Sequence, residues 1–209
     1  MGRWIALIVL VGALIAANSI IGNLKTDDEH EHAAQAAKPK KLAGKATLEP
    51  GRVVTLRTSR GEISFVLFEK DVPKTSKRIA DLVGRGRYDG VLFERVEDWV
   101  IQTGECKKET PRPMNIEVID GLVHAKGAVG MARSADYKSN TSVFYIVTEP
   151  QPYLDGEYTV FGRVISGMDV AMKIKIGDPI VSAQVRPMTP DDRKKFDEAL
   201  RLESDRKTQ

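Results

Sequence analysis

The strongest candidate for chemistry in this chain is one guanidinium, Arg95, in the apolar stretch YDGVLFERVEDWVIQTG at residues 88–104. Arginine stays protonated and presents several N–H donors in a rigid fork, so it can donate hydrogen bonds without losing its charge. A permanent cation beside this much apolar surface suggests a pocket that uses it. The alternative is a surface arginine on a half-exposed strand, because alternation along Val91 and Phe93 can leave one face in water. The segment alone does not decide between the two.

A second cluster lies at residues 127–174, where a glycine-rich approach, a strand, a turn and another strand follow in quick succession. Together the two clusters resemble the cyclophilin family of peptidyl-prolyl cis-trans isomerases, in the form familiar from bacteria. The matching motifs, in chain order, are Phe93, Glu94, Arg95 and Gln102 for the FHR-to-Q element, Met131, Ala132 and Arg133 for the MA segment, Ser142 to Ile146 for the SQFFI strand, and Leu154, Asp155 and Gly156 for the LDG turn. The match spans residues 51–186, and several separate motifs in the right order make it specific.

The resemblance implies an enzyme that rotates X-Pro peptide bonds. This rotation loses amide resonance, with a barrier of ~18–20 kcal/mol, and the uncatalysed exchange takes tens to hundreds of seconds. No bond is made or broken, so no cofactor, metal or nucleophile is expected. A donor that bonds the twisted amide better than the planar one, in a dry pocket, lowers the barrier.

The resemblance also assigns residues to the site. Arg95 is the expected catalytic residue, donating toward the carbonyl of the substrate proline, and Gln102 is expected to hold the arginine or the substrate backbone. Ala132 and Arg133 are expected to face the residues next to the proline, with Tyr158 at the rim. The expected walls of the proline pocket are Phe93, Trp99, Val100, Tyr145 and Leu154.

Two departures from the family pattern concern the arginine. The usual histidine before it is Glu94, and the connection from Arg95 to Trp99 is one residue shorter than in common members and lacks their proline. Carboxylates therefore stand at positions 94, 97 and 98. If one of them pairs with Arg95, the guanidinium must leave that partner before it can serve a substrate, and the rate falls.

Two further departures concern the pocket strand. Val143 replaces a glutamine that contacts the substrate backbone, and Tyr145 brings a hydroxyl into an apolar pocket. Substrate preference and affinity for the family's cyclic peptide inhibitors are therefore open. Two functions fit the sequence: an isomerase acting on proline-containing polypeptides, which we favour, and a non-catalytic module that binds proline-containing segments. We expect a monomer.

Composition narrows the class of protein. The chain has 209 residues, 42% of them hydrophobic and 29% charged, which suits one well-packed domain with extensions. The net charge of +3 is small and the basic residues alternate with acidic ones, so no nucleic-acid surface is expected. Cys106 is the only cysteine, so an intramolecular disulfide is excluded, and a lone cysteine in an exposed loop is expected to be inert.

The N-terminus predicts a membrane anchor. Residues 4–24 carry no charge, and a helix of this length covers the ~30 Å hydrocarbon core. The alternative is a cleaved signal peptide, but the small-residue site at 16–19 is weak and the apolar run resumes after it. Arg3 on one flank favours an N-terminus in the cytoplasm and a folded domain outside it, in a periplasm, at a cell surface or in a secretory lumen.

The chain is thus divided into a signal-anchor helix at 1–25, a flexible linker at 26–50, a cyclophilin-like domain at 51–187 and a helical extension at 188–209. The linker is polar and lacks an apolar period that could bury a face. Its two histidines, His30 and His32, lack the further ligands of a defined metal site, so no metal is expected.

Within the domain, residues 53–58 and 63–68 predict a hairpin, and Pro73 predicts a helix start, with Gly84 and Gly86 at its end. A second helix is predicted at 167–174. The other strands are expected at residues 88–96, 99–102, 127–132, 142–147, 159–164 and 180–185.

The resemblance implies a mainly β fold, a closed antiparallel eight-stranded barrel capped by two helices, whereas pattern alone leaves a sandwich or an open α+β sheet equally compatible. In the tail, Thr189 and Pro190 predict a helix start. Its narrow apolar stripe of Phe196, Ala199 and Leu200 is expected to pack on the domain.

Overall fold

The computed structural model describes residues 42–106, 111–136 and 138–207. Within these ranges, three helices and a single-turn 3-10 helix at Pro152–Leu154 accompany eleven strands. The strands are β1 Leu42–Lys45, β2 Val53–Thr58, β3 Gly61–Leu67, β4 Phe93–Glu97, β5 Val100–Thr103, β6 Met114–Asn115, β7 Ile119–Asp120, β8 Ala128–Arg133, β9 Lys138–Val147, β10 Val160–Ser166 and β11 Ile180–Arg186. The helices are α1 Pro73–Gly84, α2 Met168–Ala171 and α3 Pro190–Lys207.

Eight of the strands form one curved antiparallel sheet in the order β11-β2-β3-β10-β8-β9-β5-β4, and β6 adds to β9. The sheet does not close into the continuous barrel that was expected, because β4 and β11 are its two ends. Between them lies only an isolated bridge, Leu92 to Pro179, with a few backbone hydrogen bonds around it. Pro179 has no N–H to donate, and Gly90 and Gly177, at the two ends of this hydrogen-bonded stretch, have positive φ angles that a regular strand does not adopt.

The core lies in the concave side of this sheet and follows strand alternation. Buried aromatic rings meet at its centre, where Phe144 contacts Tyr88 and Phe161 edge to face at centroid separations of 5.3 and 6.3 Å and Phe65 at a tilt at 5.9 Å. Such edge-to-face contacts are favourable between aromatic quadrupoles. Through Phe144, the core holds β9, the strand that also carries Tyr145.

Helix α1 begins at Pro73 and ends before Gly86, as predicted, and its apolar side with Ile79 and Leu82 is fully buried. Its N-terminus is closed by a residue far along the chain. The Glu117 carboxylate accepts hydrogen bonds from the backbone N–H of Lys74 and Thr75 and from the Thr75 hydroxyl. An anion at this end satisfies free N–H groups and complements the helix dipole.

Two predicted elements differ from the structure. Residues 88–91 form a turn and Leu92 only an isolated bridge, because Gly90 has a φ of 79° and Tyr88 points into the core, where its hydroxyl donates to the Ser142 carbonyl. Helix α2 covers Met168–Ala171 instead of residues 167–174, because the backbone N–H groups of Lys173 and Ile174 donate to carbonyls three residues back rather than four.

The predicted linker is too long at its C-terminal end. Strand β1 pairs in parallel with β7, and the chain that follows is fastened to the domain. The Asp71 carboxylate accepts hydrogen bonds from the backbone N–H groups of Thr47 and Leu48 and from the Thr47 hydroxyl. Residues 42–49 are thus attached to the domain, and the earlier part of the linker lies outside the described residues.

The predicted anchor at residues 1–25 and the histidines at 30 and 32 also lie outside the described residues. Within 42–106, 111–136 and 138–207, none of the helices combines the length and apolar character needed to cross a bilayer. Cys106, expected in an exposed loop, is instead buried, and its backbone N–H donates to the Ser142 hydroxyl.

Helix α3 forms in the tail, as predicted, and packs on the domain against β10. Its start is a reciprocal cap, in which the Thr189 hydroxyl accepts from the Asp192 N–H and the Asp192 carboxylate accepts from the Thr189 N–H and hydroxyl. Of the predicted stripe, Phe196 is fully buried against Phe68 and Leu200 packs against the core.

Candidate active site

A pocket of about 310 Å³ opens on the convex side of the sheet, between the β4–β5 hairpin, the ends of β8 and β9, and the turn that follows β9. It brings together nine of the ten residues predicted for the site. The lining residues are Glu94, Arg95, Trp99, Val100, Gln102, Thr103, Ala132, Arg133, Val143, Tyr145, Leu154 and Tyr158. The predicted residue that the pocket lacks is Phe93.

Phe93 is fully buried in the core, although it stands two residues before Arg95 on the same strand. In a regular strand, side chains two apart share a face. Here the register shifts between Phe93 and Arg95, which pair with Thr103 and Gln102, so Glu94 is an extra residue. This β-bulge turns Phe93 inward and Arg95 toward the pocket, which is why a count along the strand misplaces Phe93.

Arg95 reaches the pocket with 43% of its side chain exposed. Its Nε donates a hydrogen bond of 2.7 Å to Oε1 of Glu97, and its Cζ lies 4.9 Å from the centroid of the Trp99 ring. The hydrogen bond from Arg95 lowers the pKa of the Glu97 carboxyl below its ordinary value. The guanidinium is therefore accessible, held on one edge by a carboxylate and on one face by an indole.

Gln102 lies directly across the hairpin from Arg95 and, on its other side, opposite Tyr145. It is half-buried, and no hydrogen bond joins it to Arg95 in the part of the chain that the structure describes. The pairing places Gln102 between Arg95 and Tyr145 in register, and its side chain lines the pocket. This position suits contact with a substrate backbone better than support of the arginine.

Tyr145 carries the hydroxyl that the family motif lacks, and the structure supplies its partner. His124 Nε2 lies 2.9 Å from the Tyr145 hydroxyl, and His124 Nδ1 lies 2.8 Å from Asp155 Oδ1. The same Asp155 oxygen accepts the backbone N–H of His124 at 2.7 Å. Gly130 makes room for this arrangement, because a Cβ there would overlap the Tyr145 ring.

Burial lowers the pKa of His124 below its ordinary value, against the opposing effect of Asp155, and burial raises that of Tyr145 well above its own. Both groups are therefore neutral at pH 7. Sequence reasoning missed His124. In the sequence it is a lone histidine, 31 positions before Asp155. The contact between the two residues exists only because the turn after β9 brings them together.

The far wall contains Arg133 and Tyr158. The Arg133 Cζ lies 4.4 Å from the Tyr158 ring centroid, and its Nε donates to the Glu157 carbonyl at 2.7 Å. Tyr158 meets Tyr145 edge to face, with centroids 6.2 Å apart. The pocket thus has an apolar floor of aromatic and aliphatic side chains and a guanidinium at each end.

This arrangement can bind a small apolar ring and donate hydrogen bonds to an oxygen beside it. Metal chemistry is not indicated by the donor set, because among the described residues no group of three or more His, Cys, Asp or Glu side chains could hold a metal ion.

Comparisons with known proteins show which family the chain belongs to. A family model described as cyclophilin type peptidyl-prolyl cis-trans isomerase/CLD matches residues 53–193. The chain is 36% identical over 129 residues to peptidyl-prolyl cis-trans isomerase ppi1 of Schizosaccharomyces pombe, covering 58% of this chain and 83% of that protein. It is 32% identical over 159 residues to a probable peptidyl-prolyl cis-trans isomerase of Brucella suis, covering 66% and 79%.

Among solved structures, a cyclophilin type peptidyl-prolyl cis-trans isomerase of Cryptosporidium parvum shares the fold, with a TM-score of 0.60 and 24% identity over 66% of this chain and 99% of that one. The fold is mainly β, and its pocket places a guanidinium beside aromatic and aliphatic side chains. The chain belongs to the cyclophilin-type peptidyl-prolyl cis-trans isomerases, and its activity is that of this enzyme class.

Proposed function

We propose that this isomerase is tethered to a membrane by its N-terminal segment and rotates X-Pro bonds in proteins outside the cytoplasm, with Arg95 as its catalytic residue. One observation carries the catalytic assignment: the Arg95 guanidinium reaches an open pocket, and among the described residues only its Nε has a hydrogen-bond acceptor, Glu97. The terminal nitrogens Nη1 and Nη2 are thereby left for a substrate.

The proposed mechanism uses these two donors. A proline ring enters the floor formed by Trp99, Val100, Tyr145 and Leu154, and the carbonyl of that proline accepts from Arg95. As the imide twists, its nitrogen loses resonance and becomes pyramidal, and a donor that favours this state lowers the barrier. Each tenfold gain in rate corresponds to about 1.4 kcal/mol of this preference.

The remaining residues position the chain on either side of the proline. Gln102, between Arg95 and Tyr145 in register, binds the substrate backbone. Ala132 and Arg133 contact the neighbouring residues of the substrate, and Tyr158 closes the rim. A second Cryptosporidium parvum structure, determined in the presence of the dipeptide ala-pro, is of similar fold at a TM-score of 0.56, which supports a proline peptide as the occupant.

An exchange measurement tests the catalytic assignment. NMR exchange spectroscopy on an Ala-Pro peptide compares the full-length protein with Arg95→Ala, Arg95→Lys and the surface control Arg57→Ala. Loss of one such donor should lower kcat/KM by about 100-fold or more. Lysine should restore little because it lacks the fork, and Arg57→Ala should match the wild type. Equal turnover by wild type and Arg95→Ala would refute the assignment, and binding without acceleration would indicate a non-catalytic module.

The proposed location rests on the uncharged run at residues 4–24. We expect substrates that fold after export, because X-Pro exchange is slow enough to limit folding. Alkaline extraction of membranes should leave the full chain in the pellet and release a variant lacking residues 1–25. N-terminal sequencing of the mature protein distinguishes an anchor, which keeps these residues, from a cleaved signal peptide, which loses them.

A further inference from the structure

The Tyr145 hydroxyl belongs to a chain of three polar groups, in which Tyr145 and His124 are buried and Asp155 is half-buried. Tyr145 is 4% exposed and His124 1%, and the hydroxyl meets His124 Nε2 at 2.9 Å. The two rings are nearly parallel, 18° apart, with centroids separated by 6.0 Å. A hydroxyl in such a place needs a partner, since an unsatisfied buried polar group is costly. His124 is that partner.

Asp155 determines which ring nitrogen of His124 carries the proton. A carboxylate oxygen accepts only, and Oδ1 of Asp155 already receives the backbone N–H of His124. His124 Nδ1, 2.8 Å from the same oxygen, therefore donates. The neutral ring then has a lone pair at Nε2, so the Tyr145 hydroxyl donates to it. The hydroxyl proton thereby points away from the proline pocket.

The groups that face His124 come from several elements. Asp155 and Tyr145 contact its two nitrogens, and Tyr158 meets its ring edge to face at 6.4 Å. Arg163 of β10 opposes a charge on His124, while Asp155 favours one, and burial dominates in keeping the ring neutral. Glu203 of α3 pairs with Arg163 and so tempers its effect.

We propose that His124 is a positioning residue of the active site, which orients the Tyr145 hydroxyl and makes substrate binding depend on the proton at Nε2. This inference rests on the proposed function, in which Tyr145 walls the proline pocket. When His124 is protonated, Nε2 becomes a donor and the hydroxyl loses its acceptor. Its proton must then turn elsewhere, toward the apolar ring of the bound proline, so the substrate binds more weakly.

The expected signature is a change in KM rather than in kcat. Burial holds the pKa of His124 below its ordinary value of about 6.5, so the neutral ring persists through pH 7 and is lost only in acid. Between pH 7.5 and 5, KM of the full-length protein should rise as His124 titrates, while kcat changes little. The NMR signal of the His124 ring should titrate with the same midpoint.

Two variants test the relay. Tyr145→Phe should abolish the acid rise in KM, because no hydroxyl remains to be turned. Asp155→Asn keeps an acceptor for both N–H groups but removes a charge that favours protonated His124, so the midpoint should move to lower pH. The second variant decides the matter if Tyr145→Phe fails to fold.

The inference is overturned if KM stays flat while His124 titrates, if the acid rise survives in Tyr145→Phe, or if Asp155→Asn leaves the midpoint in place. Arg95→Ala separates this failure from that of the proposed function. If Arg95→Ala is as active as wild type, the assignment of the site fails. If Arg95→Ala is inactive but the pH profiles do not respond, only the role of His124 fails.

Discussion

The Nε of Arg95 donates a 2.7 Å hydrogen bond to Oε1 of Glu97, two residues along the same strand. With the Trp99 ring 4.9 Å from Cζ, this bond holds the guanidinium by one edge and one face. The sequence raised the concern that a carboxylate would compete with the substrate for the arginine. Because only Nε is engaged, the geometry favours the opposite role, in which Glu97 keeps the terminal nitrogens aimed at the pocket.

The direction in which Glu97→Ala changes kcat/KM shows whether Glu97 positions Arg95 or competes with the substrate for it. If Glu97 positions Arg95, Glu97→Ala should lower kcat/KM by up to about fivefold, since an exposed pair contributes roughly 0.2–1 kcal/mol. Exchange spectroscopy on an Ala-Pro peptide measures the change. Glu62→Ala is the matched control, because Glu62 pairs with Arg57 in the exposed β2–β3 hairpin, away from the pocket residues. A rise in kcat/KM for Glu97→Ala would restore the competing interpretation.

Much of the fold could be predicted from local sequence patterns, because strands, helix starts and caps depend on residues close together in the chain. Strand β2 has the predicted bounds, α1 begins at Pro73, and the Thr189 cap forms as expected. Turn chemistry and caps depend on residues a few positions apart, so their signals survive in sequence alone. The motif order likewise indicated which residues share the pocket.

What could not be predicted depends on contacts between distant parts of the chain. The bulge at Glu94, which separates Phe93 from Arg95, becomes visible only in the pairing with β5. Glu117 closes α1 from 42 positions away at Thr75. His124 looked like an isolated histidine until the turn after β9 supplied Asp155. The gap between the end strands β4 and β11 could not be predicted for the same reason, because strand patterns do not show whether the two end strands of a sheet pair with each other.

The stability of the fold in acid should depend on Asp178, which lies where the end strands β4 and β11 approach each other. The Asp178 carboxylate accepts from Arg60 Nε and from the Lys175 N–H, each at 2.8 Å, while its backbone carbonyl accepts from the Phe93 N–H. The hydrogen bond from Arg60 lowers the pKa of Asp178 to about 2. Since this lies below the unfolded value of about 3.9, the ionised group contributes stability above pH 4, and that stability is lost as the pH falls toward 2.

We therefore expect Asp178→Asn to lower the urea midpoint at pH 7, and we expect its difference from wild type to shrink between pH 4 and pH 2. Urea titrations followed by circular dichroism at several pH values measure both quantities. Asp169→Asn serves as control, because Asp169 forms only an exposed pair with Lys173 on the domain surface. A difference between wild type and Asp178→Asn that stays constant down to pH 2 contradicts the role given to Asp178.

Helix α3 is joined to the domain by a buried ion pair as well as by Phe196. Arg163 Nη2 lies 2.5 Å from Glu203 Oε2, with only 4% of the arginine side chain and 14% of the glutamate side chain exposed. Arg163 Nη1 also donates to the Lys126 carbonyl, whereas its Nε is buried without a hydrogen-bond partner. Burial lowers the pKa of Arg163, against the attraction of Glu203. Loss of either residue would therefore leave the other one without its partner charge in a buried place.

Removing the glutamate should leave a buried cation without its counter-ion. Glu203→Ala is expected to reduce the free energy of unfolding by roughly 3 kcal/mol, as for other broken buried pairs. The double variant with Arg163→Met and Glu203→Leu should recover most of this lost stability. Arg193→Ala, which breaks only the exposed pair with Asp197, should cost less than about 0.5 kcal/mol. Urea unfolding of all three variants measures these values. If Glu203→Ala costs no more than Arg193→Ala, then Phe196 and its apolar neighbours hold α3 without help from the ion pair.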